Sequence, residues 1–348
     1  MKELSVVNIY LSWNCNFKCI HCWVDGGTSC ENVALDADTC IDMLEKALLL
    51  GLEHVKLTGG EPLLFMDTIF PILTWCDDND ISVTIETNGS VITEQFAACI
   101  VERDVSISIS VNGFDSPSHD NFVVCNGSFV KVIDNINILK KYGVNFQIIT
   151  CVYDGNKQNL EKIVALCKEL GALSLKINPI TDIGRGEDLY QSKKIDDYIA
   201  IKDLVPIVHG LSKSYGIEIF LHVPPAFRGF NTLKSAGGKS CAYKNMLSIL
   251  PDKSLALCGY GGVNEATTWG KYGADFDLAH FWKNNEGVNL LRDEVRLEGV
   301  CKQCVHQKSC QGDCKALAMN RYGSWNSPNP MCQELFENGM FPQSRIFP

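Results

Sequence analysis

The sequence has no run of 18 or more apolar residues, so no segment offers the length a helix needs to cross a bilayer. Its opening Met1-Lys2-Glu3-Leu4 lacks the apolar core and small-residue cleavage site of a secretory signal, which places the expected location in the cytoplasm, away from membranes. Positive charge is also short: 31 Lys and Arg stand against 41 Asp and Glu, a formal net charge of −10. No basic face is left over to neutralise phosphates, which argues against nucleic acid and against any large polyanionic substrate. Internal repeats beyond a βα rhythm are missing, and so are low-complexity segments. A reducing compartment removes the disulfide reading of the 17 cysteines. Their chemistry must lie elsewhere.

What is present starts with Ser12-Trp-Asn-Cys15-Asn-Phe-Lys-Cys19-Ile-His-Cys22-Trp23, directly after an apolar strand, Val6 to Leu11. Three thiolates within eight residues can hold one soft metal centre. A 4Fe–4S cube has four irons, so three cysteines leave one iron free to chelate an external ligand. Structural zinc wants four protein ligands, and no fourth Cys or His stands at a usual spacing.

Downstream, strands and helices alternate. The pattern predicts a helix over Leu35–Leu50 with Asp36 or Asp38 as N-cap and Gly51 as C-cap, and a strand over His54–Thr58. It continues with strand Ser82–Thr87, helix Glu94–Val101, strand Val105–Ser110, helix Phe129–Lys141, strand Asn145–Cys151, helix Leu160–Leu170 and strand Ser174–Asn178. Six strands each followed by a helical region imply an α/β fold with parallel strands and right-handed crossovers. Pro224-Pro225, Gly229 and Gly237-Gly238 break that rhythm, giving expected domains at 1–225 and 226–348. The 348 residues suit a barrel plus an appended domain.

The cysteine loop, followed some way on by Gly59-Gly60-Glu61-Pro62 at a strand end, resembles the radical SAM enzymes. The resemblance implies a partial (β/α)6 TIM-like barrel with its chemistry on the loops after the strands. It implies that Cys15, Cys19 and Cys22 ligate a cluster that reductively cleaves S-adenosyl-L-methionine to methionine and a 5′-deoxyadenosyl radical. Gly59 and Gly60 would let backbone approach that cofactor, and Glu61 would accept its ammonium. Thr87, Asn88 and Ser110 resemble positions that touch its methionine or ribose, and His21 stands where an aromatic often lies near the adenine.

Cys301-x2-Cys304-x5-Cys310-x3-Cys314, then Cys332, with Cys241 and Cys258 upstream, resembles the seven-cysteine SPASM domain. Two auxiliary 4Fe–4S clusters are thereby implied, three clusters in all. In the family's pattern the fourth cysteine of the run crosses over. Cys301, Cys304, Cys310 and Cys332 would hold one cluster, and Cys241, Cys258 and Cys314 the other. A fourth ligand to the latter must come from elsewhere or its iron stays open. Cys30, Cys125 and Cys151 are conceivable donors, although buried thiols are the favoured reading of all three. A zinc ribbon would use two pairs and leave three cysteines unexplained.

Departures from the family pattern matter too. Lys253 stands where a glycine is usual, which alters a turn without removing a ligand. Gly259 follows Cys258 where anaerobic sulfatase maturases carry an aspartate, which argues against that reaction. In Ser110-Val-Asn112-Gly113 and His119-Asp120, Asn112 replaces an aspartate and Val123 an arginine, whose work another residue must do. Asn178 to Gly186 shares the family's texture.

The expected function is oxidative modification of a ribosomally made peptide, a thioether, ether or carbon–carbon cross-link. Without a winged-helix segment ahead of the barrel, a separate leader-recognition protein is the expected partner, together with flavodoxin or ferredoxin as reductant. The alternatives are peptide epimerisation, small-molecule chemistry on a tetrapyrrole side chain or a sugar, and an electron-transfer scaffold that cleaves nothing. The three barrel cysteines and Glu61 argue against the scaffold.

Overall fold

The computed structural model describes residues 3–27, 33–153, 155–191, 198–229, 241, 243–262 and 264–348. Six strands follow the predicted rhythm: β1 (Val6–Tyr10), β2 (His54–Thr58), β3 (Ser82–Thr87), β4 (Val105–Ser110), β5 (Phe146–Val152) and β6 (Ser174–Pro179). Each pairs in parallel with the next, Val55 opposite Val83 and Ile109 opposite Ile148, for example. Alternation decides the faces. Val7, Ile9, Val55, Leu57, Ile85, Leu175 and Ile177 are wholly buried against the helices, while the residues between them look into the concave side.

The helices are amphipathic for a visible reason. In α1 (Ala37–Leu48), Cys40, Met43, Leu44 and Ala47 repeat at helical spacing and are all buried. Asp36 caps it, accepting from Thr39 N–H at 2.7 Å. α2 (Met66–Asp78) follows β2 and tolerates Pro71. α3 (Glu94–Ile100), α4 (Ser116–Val123), α5 (Ser128–Tyr142) and α6 (Leu160–Leu170) complete the outer layer. α6 stops where predicted, at Gly171 in the left-handed region with φ +78°.

The sheet extends further than six strands. After α7 (Gly186–Gln191) and α8 (Tyr198–Tyr215), β7 (Glu218–Leu221) adds in parallel to β6. At the other edge β8 (Met246–Ile249) pairs in parallel with β1, and β9 (Ser254–Ala256) and β10 (Thr268–Lys271) continue antiparallel. The order is β10-β9-β8-β1-β2-β3-β4-β5-β6-β7, an open, partial barrel. A division at residue 225 therefore does not divide the sheet, because β8, β9 and β10 come from beyond it. The free edge of β1 recruits them. Short helices holding the C-terminal cysteines follow, over Gly299–Gln303, Gln307–Cys310, Lys315–Tyr322 and Pro330–Glu337.

Candidate active site at the mouth of the barrel

The cysteine loop leaves β1 and is fastened from several sides. Lys18 and Ile20 donate backbone N–H to the Val123 and Phe122 carbonyls at the end of α4, at 3.1 and 3.0 Å. Arg185 clamps the far side. Its Nε donates to Cys19 O at 2.8 Å, a terminal nitrogen donates to Gly26 O at 2.9 Å, and another pairs with Asp25. Val123 itself is core, and the positive charge at the loop is that of Arg185.

Gly59 and Gly60 let the backbone of the cysteine loop come close. Gly60 N–H donates to Ser12 O at 2.7 Å and Glu61 N–H to Asn14 O at 2.8 Å, stitching the two motifs together. At Gly59, φ is +130° and a Cβ would sit 2.5 Å from Ser12 O; at Gly60 it would run into Asn14 O. The cysteine loop's own backbone fills the space that side chains would need.

Glu61 is wholly buried. Oε1 accepts from Leu63 N–H at 3.0 Å and Thr87 Oγ1 at 2.6 Å, and Oε2 from Asn88 N–H at 2.7 Å. Three of a carboxylate's roughly four acceptor sites are thus taken inside the protein, leaving one on Oε2 for an ammonium. Burial pushes the carboxyl up to about 7, against the pull of those three donors. Asn88 Nδ2 donates to Asn16 Oδ1 at 2.9 Å and to Cys15 Sγ at 3.7 Å, so Thr87 and Asn88 tie Glu61 to the cysteine loop. Ser110 ends β4, half-buried. His21 lies against Phe122, ring centroids 4.7 Å apart, with one face covered; burial and then the Arg185 charge hold it near 4 and neutral.

The cysteines fall into three neighbourhoods. Cys15 feels the charge of Cys22, and Cys19 those of Cys15 and Cys22. Cys314 feels Cys258 and Cys241, whereas Cys332 feels Cys301, Cys310 and Cys304. Cys314 thus lies apart from its neighbours in the run. Among the described residues no three His, Cys, Asp or Glu side chains converge closely enough for a single ion. Thiols are the donors that the irons of a cube take, one each.

Eight of these ten thiols also receive a backbone donor, Cys19 and Cys332 being the two for which none is seen. Backbone N–H groups point at Cys15 from Phe17, Cys22 from Gly26 and Cys304 from His306, at 3.3 to 3.4 Å. They also point at Cys241 from Tyr243, Cys258 from Tyr260, Cys301 from Asn329, Cys310 from Gly312 and Cys314 from Leu317. Such donors stabilise thiolate. Cys40 and Cys76, inside α1 and α2, are held up near 12 chiefly by burial, with no donor easing them. Cys151 lies beside Cys19 and Cys22 and not beside Cys241, Cys258 and Cys314. Cys125 sits in the turn between α4 and α5, its N–H bonded to Asp120 O. Neither is placed to complete the three-thiol set, and Cys30 lies outside the described residues.

Lys315 gives an independent test of fit. Its side chain is wholly buried and its ammonium donates to Trp325 O at 3.0 Å. No carboxylate lies within ion-pair reach of it among the described residues; the charges that favour it are Cys301 and Cys310, then Asp313. An ammonium with no counter-charge in direct contact is expensive to bury. Thiolates around a metal centre supply that charge, so the residues present fit the cluster the sequence implies.

Two sequence departures now have physical readings. A Cβ at Gly259 would enter the Tyr10 ring, which leaves no room there for an aspartate. Asn112 Oδ1 accepts from Cys151 N–H at 2.8 Å, and its own N–H donates to His119 Nδ1 at 3.2 Å, pinning the ends of β4 and β5 together. Arg185, Lys315 and the lumen charges considered below escaped the sequence reading. Asn178 to Gly186 was the one signal near Arg185.

Residues 9–168 match the model of the Radical SAM superfamily. The chain is 27% identical to an AdoMet-dependent heme synthase of Methanosarcina barkeri strain Fusaro, over 92% of this chain and 94% of that one. It is 26% identical to the mycofactocin maturase MftC of Mycolicibacterium smegmatis, over 97% and 85%. Among solved structures, Streptococcus suis SuiB bound to precursor peptide SuiA superposes with a TM-score of 0.73 at 18% identity, covering 96% of this chain and 76% of that one. The fold is shared; the chemistry must be argued from the site.

Proposed function

Residues 9–168 being a radical SAM domain, the chain is a radical SAM enzyme, and we propose that it oxidatively modifies a ribosomally made peptide, consuming S-adenosylmethionine as co-substrate. The observation that carries this reading is the separation of the seven C-terminal cysteines into a four-thiol and a three-thiol neighbourhood, beyond the Cys15, Cys19 and Cys22 set. Likeness to a maturase along nearly the whole chain supports the peptide.

When bound, the first cluster and S-adenosylmethionine supply a 5′-deoxyadenosyl radical that takes a hydrogen atom from an unactivated carbon. The chain's own residues do the rest. Glu61, fixed by Thr87 and Asn88, offers its last acceptor site to the ammonium. Arg185 and the α4 carbonyls keep the cysteine loop from shifting, and the sheet walls off water. Cys301, Cys304, Cys310 and Cys332 would hold one auxiliary cluster and Cys241, Cys258 and Cys314 another, places where the electron shed by an oxidised substrate can go. Flavodoxin or ferredoxin would act as reductant and a separate protein would recognise the leader, all in the cytoplasm.

The test is mass spectrometry of the peptide encoded beside the gene, matured in heavy water. A product about two daltons lighter, with no deuterium gained and one 5′-deoxyadenosine per modification, is the expected result. An unchanged mass with one deuterium gained would overturn cross-linking in favour of epimerisation. A second reading, oxidation of a tetrapyrrole side chain, is favoured by the likeness to a heme synthase; tetrapyrrole genes nearby, and no precursor peptide, would select it.

A further inference from the structure

Across the concave face of the sheet lie three charges that no step above uses. Lys56 is on β2, Glu86 on β3 and Lys176 on β6; Val55, Leu57, Ile85, Leu175 and Ile177 beside them are buried in the opposite, apolar layer. Lys56 Nζ is 2.7 Å from Glu86 Oε2, and Lys176 Nζ is 3.8 Å from Glu86 Oε1. β4 and β5 intervene between β3 and β6, so the second approach spans the lumen and does not follow a strand pair. About a third of each side chain remains open, 28% for Lys56 and Glu86 and 35% for Lys176.

One carboxylate therefore faces two ammoniums. Lys56 satisfies Glu86 at hydrogen-bond distance; Lys176 stands too far for one. Lys176 therefore keeps its hydrogen-bond donors available while still feeling Glu86. The setting is also specific. The charge of Lys176 reaches Cys151, itself beside Cys19 and Cys22, and that of Lys56 reaches Cys241 and Cys258. His222, which also feels Lys176, is held neutral chiefly by burial. Asp313 also acts on His222 and Cys241, but among the described residues Glu86 is the carboxylate in ion-pair contact with these two lysines, so the trio carries one positive charge in excess.

We propose that Lys176, framed by Lys56 and Glu86, seats a carboxylate, so that the substrate presents an acidic group inside the lumen. This rests on the reading that the lumen receives the substrate. The group can be a peptide's acidic side chain, a peptide's terminal carboxylate or a free organic acid.

Fluorine NMR line broadening on the iron-loaded protein tests it with three matched pairs. They are 4-fluorophenylacetate and its amide, a 4-fluorophenylalanine tripeptide with free or amidated C-terminus, and the amidated tripeptide carrying central Glu or Gln. At least one acid should bind about tenfold or more tighter than its neutral partner. That preference should disappear in Lys176→Met and persist in Lys176→Arg, and the responding pair identifies the source of the carboxylate. No preference in any pair, or a preference that survives Lys176→Met, overturns the proposal. The wild-type comparison stands even if the Met variant misfolds. Iron content and 5′-deoxyadenosine release are read on the same samples. Full iron and active cleavage without acid preference would sink the carboxylate seat alone, whereas missing iron would sink the functional reading beneath it.

Discussion

The two cysteine-bearing ends of the lumen are built on opposite plans. Cys15, Cys19 and Cys22 share one continuous loop, held by carbonyls of α4, by Arg185 and by Glu61's neighbours, all anchored in a large common core. The C-terminal thiols come from separate pieces: the stretch before β8, the end of β9 and four helices of four to eight residues. Cys301, Cys304 and Cys332 are themselves members of a small core with Val300, Met331, Leu335 and Phe341. One end is a scaffold that offers ligands to a metal. At the other the ligands are much of the scaffold, and the buried Lys315 ammonium, helped only by the Asp313 charge, gains its main counter-charge when metal and thiolate arrive.

Removing iron should expose that difference most strongly, because metal binding and folding are coupled where the ligands make the core. In hydrogen exchange, the anaerobically reconstituted protein treated with a chelator should lose protection over residues 299–348 while β1 to β6 keep theirs. Equal loss at both ends, or none at either, would dissolve the contrast. Three cubes imply about twelve irons per chain, and Ala at Cys15, Cys19 and Cys22 together should leave about eight with the barrel still folded.

The crossing of Cys314 sharpens the comparison within the C-terminal end. Cys314→Ala should damage the centre shared with Cys241 and Cys258, and Cys332→Ala the other, each costing up to about four irons. Electron paramagnetic resonance distinguishes the two remaining signals. Identical spectra from two variants that remain folded by circular dichroism would show the neighbourhoods to be one.

Lys315→Met should change sign with metal. Without iron the variant removes an unpaired buried charge, so its melting temperature should rise. With iron it removes the cation that the Cys301 and Cys310 thiolates face, a loss of order 3 kcal/mol, so the melting temperature should fall. The same direction in both states would mean that Lys315 does not answer to the cluster.

How much of this could be read from residues alone follows from how local each feature is. The strands β1 to β6 and the end of α6 at Gly171 are written in alternation, helical spacing and a C-cap, all short-range. β8 is four residues, Met246–Ile249, whose place depends on an edge of β1 some 240 residues away, and no period announces it. Lys56 in His-Val-Lys-Leu-Thr has the alternation of a strand with one wet face, and only the curvature of the sheet turns that face into a lumen. Cysteine spacing points to the clusters, yet the reason for Gly59 and Gly60 emerges only when Ser12 and Asn14 are seen behind them. Arg185 could not be assigned to the cysteine loop from a position 160 residues beyond Asp25.

The smallest expected effect concerns a turn that joins the two plans. Lys253 stands where the family pattern has glycine, and the turn is not altered: Lys253 holds φ +69°, the left-handed conformation a glycine adopts freely. Its N–H still donates to Leu250 O at 2.9 Å and its carbonyl accepts from Tyr272 N–H at 2.7 Å, so the hairpin leading into Cys258 keeps its register. Holding a lysine there costs about 1 kcal/mol. Against that stands its side chain, which donates to Thr39 Oγ1 at 3.1 Å and lies 3.8 Å from Asp36, tethering the hairpin to the start of α1. Both groups are largely exposed, and such pairs contribute a few tenths of a kcal/mol. Relief of backbone strain therefore outweighs loss of the tether, and Lys253→Gly should stabilise the protein by about 0.5 kcal/mol, with iron content unchanged. Denaturant melts in 0.1 M and 1 M salt separate the two contributions. Screening weakens the tether and leaves the strain, so the advantage of glycine should grow with salt. A destabilised variant whose deficit vanishes at high salt would show that the ion pair, and not the backbone, decides this position.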